Sequence, residues 1–397
     1  MTPKKVQKAF LLLLLLFLLL TPLASWLRME RTTAEVQYYE QRNPAALPAP
    51  TVDTLLDGSF FTAVESAVTD RLAVRTAAIR SYFAAHMALD RPVVGDSVVN
   101  ADVLLGENSY ARWDDAPLYD EARDIAADYA DLANFVEEQG GWFCYVGLPL
   151  QTFYYTDKYP NYLENREWHL TALRDAFSTA MEAENVPFIE MNSVFRSLTG
   201  EEAVYPETDH HYTCYGAYVT AQSVAARIRE ETGLAVTIPT QEELDWETLP
   251  NPFLGSRNRK LYGLWDSSDR ADIASPREEI PFRRWDNGVE VETSVFTLPA
   301  TETEAVTYSI YMGGDIGETV IRTDRPDLPR VLIYGDSFTN LLETLLYAGF
   351  DEMRSLDYRY YSGQSLREYI ADYQPDVVLC VRDEASYFSR GENGRTD

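Results

Sequence analysis

Arg330-Val331-Leu332-Ile333-Tyr334-Gly335-Asp336-Ser337-Phe338 is the stretch whose reading decides the fold. Its four apolar residues, Val331 to Tyr334, predict a strand covered on both faces, from about Arg330 to Tyr334. Gly335-Asp336-Ser337 predicts a tight turn, and Asn340 to Tyr347 predicts the helix that follows it. In an open α/β sheet a strand-to-helix turn of this kind lies at the carboxyl edge, where ligands bind. A serine placed there has an exposed hydroxyl. Its own N–H sits at a helix N-terminus, poised to stabilise an oxyanion. Gly-Asp-Ser also makes ordinary turns and N-caps, so the tripeptide takes its meaning from the rest of the chain.

Outward from this turn the pattern alternates. Downstream, a strand is predicted at Ser355 to Arg359, a helix at Ser365 to Tyr373 and a last strand at Val377 to Val381. Upstream there is a short β-rich run, Val98 to Leu105, and then a helix, Ala122 to Glu138, with Ile125, Tyr129, Leu132 and Val136 at helical spacing. Gly140-Gly141 closes that helix, and Trp142 to Leu148 is a second continuous apolar strand. A helix from about Glu167 to Glu184, the short strand Val186 to Ile189 and a helix from Cys214 to Thr232 closed by Gly233 complete the set. This alternation predicts a doubly wound, mostly parallel α/β sheet in two parts, residues 93–233 and 330–397. Between them, residues 234–329 carry turn signals (Asn251-Pro252, Ser275-Pro276, Asp286-Asn287-Gly288) and short β-like runs such as Glu290 to Leu298. That segment reads as a β-rich insertion with antiparallel hairpins.

The first 27 residues are of another kind. Lys4, Lys5 and Lys8 precede an apolar run from Ala9 to Leu27, with eleven consecutive Leu and Phe from Phe10 to Leu20. At about 1.5 Å per residue that run approaches one hydrocarbon thickness as a helix, and with no polar face it needs lipid and not a soluble core. A signal anchor is favoured over a cleaved signal peptide, because the run is long and no clean small-x-small site follows. The N-terminal lysines then hold that end in the cytoplasm and send the remainder outside. Residues 28–92 read as stalk and lead-in helices: Arg28 to Asp53 extended and Pro-rich, and Gly58 to Asp90 helical, with Leu72, Ile79, Phe83 and Met87 on one face. The formal net charge of -29 repels phosphate backbones and argues against a nucleic-acid partner. The three cysteines, Cys144, Cys214 and Cys380, have neither the number for a disulfide framework nor zinc-ligand spacing.

A second polar cluster, Thr208-Asp209-His210-His211-Tyr212, lies just before the Cys214 helix and holds two of the four histidines in the chain. A serine hydroxyl needs a base within hydrogen-bond reach, and the base needs a group that orients it. An Asp close before a His on a tight loop can hold the required imidazole tautomer. The same three side chains, Asp209, His210 and His211, also compose a small metal-ligand set, and an N-cap aspartate with two incidental histidines is the plainest alternative.

Asp209-His210-His211-Tyr212 with Gly335-Asp336-Ser337 downstream resembles the bacterial DHHW family. More distantly it is similar to the periplasmic alginate O-acetylation proteins, whose SGNH hydrolase-like domains carry an Asp-x-His pair ahead of the serine. Three further segments extend the likeness over about residues 38–385: Glu40-Gln41-Arg42-Asn43-Pro44 with Asp70 and Arg75, Tyr311-Met312-Gly313-Gly314-Asp315, and Asp357-Tyr358-Arg359-Tyr360-Tyr361. Two positions depart from the family pattern. Tyr212 stands where Trp is usual, and Asp315 stands where Asn is frequent; a carboxylate cannot donate to an oxyanion as an amide can.

The resemblance implies Ser337 as the nucleophile, His211 rather than His210 as its base, and Asp209 as the orienter of that base. It implies Gly313 or Gly314 as backbone donors to the oxyanion, and His210, Tyr212 and Arg359 as substrate neighbours, with no cofactor and no metal. The activity implied is O-acylation or deacylation, with acetyl as the acyl group and an envelope polysaccharide as acceptor. The acyl donor would be delivered by a polytopic membrane O-acyltransferase. A non-catalytic glycan-binding or scaffolding subunit of such a complex is the alternative, and the altered Asp315 is the feature that speaks for it.

Overall fold

The computed structural model describes residues 3–99, 102–107, 116–200 and 202–397, so Asn100 and Ala101 of the expected β-rich run lie outside the described residues. The chain forms two units: Met1–Asn100 with Arg257–Asp266, and Ala101–Ser256 with Ser267–Asp397.

The larger unit is α/β. Its strands of three or more residues are β1 (Trp142–Leu148), β2 (Phe188–Glu190), β3 (Leu244–Thr248), β4 (Asp272–Pro276), β5 (Arg283–Asp286), β6 (Val289–Val291), β7 (Glu318–Arg322), β8 (Arg330–Gly335), β9 (Glu352–Leu356) and β10 (Val377–Asp383). Eight of them form one sheet in the order β2-β1-β10-β8-β9-β7-β5-β6. The first five in that order run parallel, and β7, β5 and β6 add antiparallel at one edge. β3 and β4 make a separate antiparallel ribbon. Residues 234–329 therefore do more than interrupt the α/β alternation, since β5, β6 and β7 widen the main sheet. The β5–β6 hairpin turns on Asn287 and Gly288, both at positive φ, the geometry a two-residue type I′ turn requires.

Successive side chains of the central strands enter opposite layers, which is why their sequences are continuously apolar. Val331 and Ile333 of β8, with Val377, Leu379 and Val381 of β10, face one layer, covered by the helices Cys214–Thr232 and Phe338–Leu346. Leu332, Tyr334, Val378 and Cys380 face the other, under the helices Ala116–Glu138, Glu167–Ala183 and Leu366–Tyr373. All nine of these strand residues are fully buried. Each such side chain contributes roughly 1.5–3 kcal/mol by leaving water, so β8 is fixed from both sides before it delivers the turn that ends it.

The smaller unit begins with a helix, Pro3–Leu27, of which Lys5–Leu27 is long and apolar enough to cross a membrane. The next stretch differs from the extended stalk expected of it: Met29–Glu40 is a helix. It has no apolar stripe to reveal it, and it is supported by the Arg31–Glu35 pair at i,i+4 (2.9 Å). Gln41, in the left-handed region, ends it, and Pro44, Pro48 and Pro50 keep the following chain extended. The expected helix from Gly58 to Asp90 is two helices, Ser59–Asp70 and Arg75–Ala88.

Asp70 ties these pieces together. Its carboxylate receives both guanidinium nitrogens of Arg42 (2.7 and 2.6 Å) and the Ala45 N–H (2.8 Å). The Arg42 hydrogen bonds, helped by that N–H and the charges of Arg42 and Arg75 against the cost of burial, pull its pKa down to about 2. A lowered acid stabilises the fold above the ordinary Asp value of about 3.9, and that stability is lost as the pH falls through the folded value. Asp70→Asn is expected to destabilise this unit by roughly 1–2 kcal/mol at neutral pH, because Arg42 is partly in water. Hydrogen exchange over residues 29–45 should rise, and its acceleration between pH 4 and pH 2, present in the parent, should be flattened in the variant.

Candidate active site

The turn that ends β8 is shaped by a close approach. A Cβ on Gly335 would lie 2.2 Å from the Val381 carbonyl oxygen on β10, so no larger residue fits. Asp336 then accepts the Phe338 N–H on its Oδ1 (3.1 Å) and the Thr339 N–H on its backbone oxygen (3.0 Å), starting the helix Phe338–Leu346. Ser337 sits half-buried on this corner. Its N–H has no hydrogen-bond acceptor among the described residues.

The second loop is held by groups distant in sequence. Asp269 accepts the backbone N–H groups of Glu207 (3.1 Å) and Thr208 (2.8 Å) and the Thr208 hydroxyl (2.6 Å). Gly255 lies against Thr208 so closely that a Cβ on it would stand 2.4 Å from the Thr208 carbonyl oxygen. Ser256 donates its N–H to Asp209 Oδ2 (2.6 Å), and its hydroxyl pairs with His210 Nδ1 (2.6 Å). None of Gly255, Ser256 and Asp269 was expected from the sequence.

Asp209 is buried, and its Oδ1 accepts both the backbone N–H (2.9 Å) and Nδ1 (2.7 Å) of His211. Burial pushes its pKa up, but the charge of His211 and its hydrogen bond, with His210 and the backbone N–H adding, outweigh burial and hold the carboxyl below the usual range. The carboxylate thereby fixes the tautomer: Nδ1 carries the proton and Nε2 is left as an acceptor. His211 Nε2 lies 2.8 Å from Ser337 Oγ, across 126 positions of sequence. The imidazole is stacked on Tyr308 (3.7 Å between ring centres, 8° between planes) with Phe338 at 5.1 Å, so packing fixes its plane as hydrogen bonds fix its tilt.

The remaining expected residues divide. His210 and Arg359 line a cleft of about 200 Å³ beside Ser337, together with Asp383, Ser386 and Glu392. Arg359 is held by Asp357 (2.6 Å) and by Asp315 (3.3 Å). Tyr212, expected to meet substrate, is instead 1% exposed, and its hydroxyl donates to the Phe338 carbonyl, pinning the first turn of the serine helix. Gly313 and Gly314 do not line the cleft. Both adopt positive φ, and the Gly314 N–H is used on the Tyr311 carbonyl (3.1 Å), so they shape a turn. Asp315 accepts from Asn340 Nδ2 (3.0 Å). Ligand atoms of Asp209, His210 and His211 come within 4.8 Å of one another, yet those of Asp209 and His211 already serve the hydrogen bonds that lead to Ser337.

Residues 109–263 match the family model described as "SGNH hydrolase-like domain, acetyltransferase AlgX". Over those residues the chain is similar to an SGNH hydrolase-like domain, and its fold is an SGNH-like α/β fold. The matched stretch contains the histidine loop and Ser256, and Ser337 lies downstream of it. Bacillus cereus PatB1, in a structure with a sulfonyl adduct, is similar over 75% of this chain and 99% of its own, with 20% identity and a TM-score of 0.61. A DHHW family protein from Eubacterium siraeum is similar over 77% of this chain and 95% of its own, with 18% identity and a TM-score of 0.56. At these identities the likeness concerns the fold, and it extends well beyond the matched residues. No curated protein matches the chain at the sequence level.

Labelling of the full-length chain by a fluorophosphonate separates residues that hold the SGNH-like site from residues that merely stabilise it. Gly255→Ala should slow labelling by about 100-fold, because the added methyl displaces Thr208 and with it Asp209. Ser256→Ala keeps the N–H to Asp209 and should slow it by only about 3–10-fold through loss of the His210 contact. Tyr212→Phe should lower stability by about 1 kcal/mol and leave labelling within a factor of three.

Proposed function

We propose that this chain is an extracytoplasmic serine O-acyltransferase of the SGNH type that transfers acetyl groups to hydroxyls of an envelope polysaccharide. The observation that carries the reading is the unbroken hydrogen-bonded series from the Asp209 carboxylate through His211 to the Ser337 hydroxyl. In the proposed reaction Ser337 Oγ attacks the acyl carbonyl while its proton passes to His211 Nε2. Asp209 keeps the imidazolium in place, and the Ser337 N–H stabilises the oxyanion. The proton then goes to the leaving oxygen of the donor, which departs as the acyl-serine forms. A sugar hydroxyl next enters, gives its proton to His211 and takes the acyl group, which restores Ser337. Water in place of the sugar gives esterase activity by the same steps.

The apolar helix suits a single-pass anchor that leaves this site outside the membrane, where the glycan is. An acyl donor generated inside the cell must then cross the bilayer, so the partner we assign is a polytopic membrane O-acyltransferase. The acetyltransferase description of the matched family model supports transfer as the physiological outcome.

Hydrolysis of 4-nitrophenyl acetate by the purified full-length protein is the direct test. Ser337→Ala and His211→Ala should each lower kcat by at least about 10³-fold, and Asp209→Asn by a comparable factor. Equal rates for the parent and Ser337→Ala would sink the enzymatic reading and leave a glycan-binding or scaffolding role. A phenylmethanesulfonyl group should add to Ser337 in the parent and not in His211→Ala, read as a mass increase on the peptide containing Ser337.

A further inference from the structure

The smaller unit exposes apolar side chains of a kind that the larger one hides. Between Leu47 and Val74, seven large hydrophobic residues are more than two-fifths exposed, Leu56 at 83% and Phe61 at 61% among them. The whole larger unit has six such residues among those described, and they are scattered from Tyr119 to Tyr360. Single exposed apolar residues are ordinary, but a run of them within one short stretch marks a surface that is covered in use.

Local geometry holds these side chains outward. Thr51 and Thr54 cap the short helix Val52–Leu56 reciprocally, and the Asp57 carboxylate accepts the Ser59 N–H (2.8 Å) to start the next helix, Ser59–Asp70. Leu55 and Leu56 therefore stand at the tip between two helices. The far side of the second helix is packed inward through Ala67 and Asp70, while Phe61 and Val68 are left outside.

What covers this surface is indicated by where the chain is tied. The Ala73 N–H donates to Ser25 Oγ (3.1 Å), and Ser25 belongs to the last turn of the apolar helix, beside the 70% exposed Trp26. The turn that ends the exposed stretch is thus fastened to the end of the segment that crosses the bilayer, at the level where aromatic side chains gather. Resting on the reading of Lys5–Leu27 as a membrane anchor, we infer that residues 47–74 form a second membrane contact, lying in the lipid interface with Leu55, Leu56 and Phe61 immersed. Asp53, Asp57 and Glu65 on the same stretch keep the immersion shallow. A chain held at two points is restrained in tilt as well as in position.

Depth-dependent quenching tests this on the full-length chain in phosphatidylcholine vesicles. Single cysteines at Leu56, Phe61, Val289 and Phe17 are labelled with an environment-sensitive fluorophore and challenged with lipids spin-labelled at carbon 5 or carbon 12 of the acyl chain. The three native cysteines are buried. Positions 56 and 61 should be quenched at least twofold by the carbon-5 lipid and far less by the carbon-12 lipid, and position 289 by neither. Position 17 reports the anchor itself. Quenching at 17 without quenching at 56 and 61 overturns the second contact and leaves the anchor standing, whereas no quenching at 17 removes the anchor reading as well. If 56 and 61 stay at the level of 289 while energy transfer between labels at 61 rises with the protein-to-lipid ratio, a second copy of the chain covers the surface and the inference is wrong. Leu55→Gln with Leu56→Gln and Phe61→Gln, in a chain labelled at Val68, should abolish quenching there without altering acetyl-ester hydrolysis.

Discussion

One buried negative charge organises this site. Placing a carboxylate where Asp209 lies costs several kcal/mol unless hydrogen-bond donors surround it. Three donors do so: the His211 ring, the His211 backbone and the Ser256 backbone. Two belong to the residue that must be oriented, so satisfying the charge and aiming the imidazole are the same event. The depressed pKa of Asp209 is the thermodynamic face of that arrangement, since whatever stabilises the carboxylate also stabilises the proton on Nδ1. Removing a donor therefore disturbs both folding and geometry, which is why the loop is clamped again from behind by Asp269.

The segment that breaks the α/β rhythm completes this arrangement. Ser256 and Tyr308 both come from residues 234–329, and they supply the third donor and the ring on which His211 lies. The serine arrives by a different route, on a strand held in both core layers and ended by a glycine that must pass close to the next strand. The parallel sheet thus presents the hydroxyl, while the inserted segment presents the walls that fix its base.

How much of this was legible in the sequence follows from which atoms carry each interaction. The strand before Ser337 could be read because burial on both faces leaves a continuous apolar run. The histidine loop could be read because Asp209 and His211 act through their own side chains in a chain with few histidines. Ser256 was silent, since its decisive contact is a backbone N–H that nearly any residue offers. Gly255 was silent too, because the need for it arises only when the Thr208 carbonyl is in place, 2.4 Å from where a Cβ would stand. The helix Met29–Glu40 escaped notice because it lacks an apolar stripe and rests on an ion pair and on tertiary contacts such as Thr76 with Glu35 (2.6 Å). Gly314 and Tyr212, which a resemblance named as functional neighbours, have hydrogen bonds to the chain itself, the Gly314 N–H in a turn and the Tyr212 hydroxyl on the serine helix.

The departure at Asp315 acquires a physical meaning once its partners are known. An amide at that position would be a donor, but the carboxylate here accepts from Asn340 and faces Arg359, which already carries Asp357. Two carboxylates share one guanidinium, so Arg359 brings no net positive charge to the cleft. Asp383, Glu392 and Arg382 line the same space, and burial with the neighbouring Asp383 charge raises the pKa of Asp336 beside Ser337 and favours its neutral form, so Asp383 and Glu392 carry the negative charge. A phosphorylated or carboxylate-bearing acyl donor would be repelled from such surroundings, whereas an uncharged ester would not. On the proposed reading, an oxyanion formed at Ser337 meets in Arg359 a guanidinium whose charge is already shared between two carboxylates. On that reading the Ser337 N–H at the head of its helix carries transition-state stabilisation, and the Tyr212 contact with the Phe338 carbonyl adds stability to that helix.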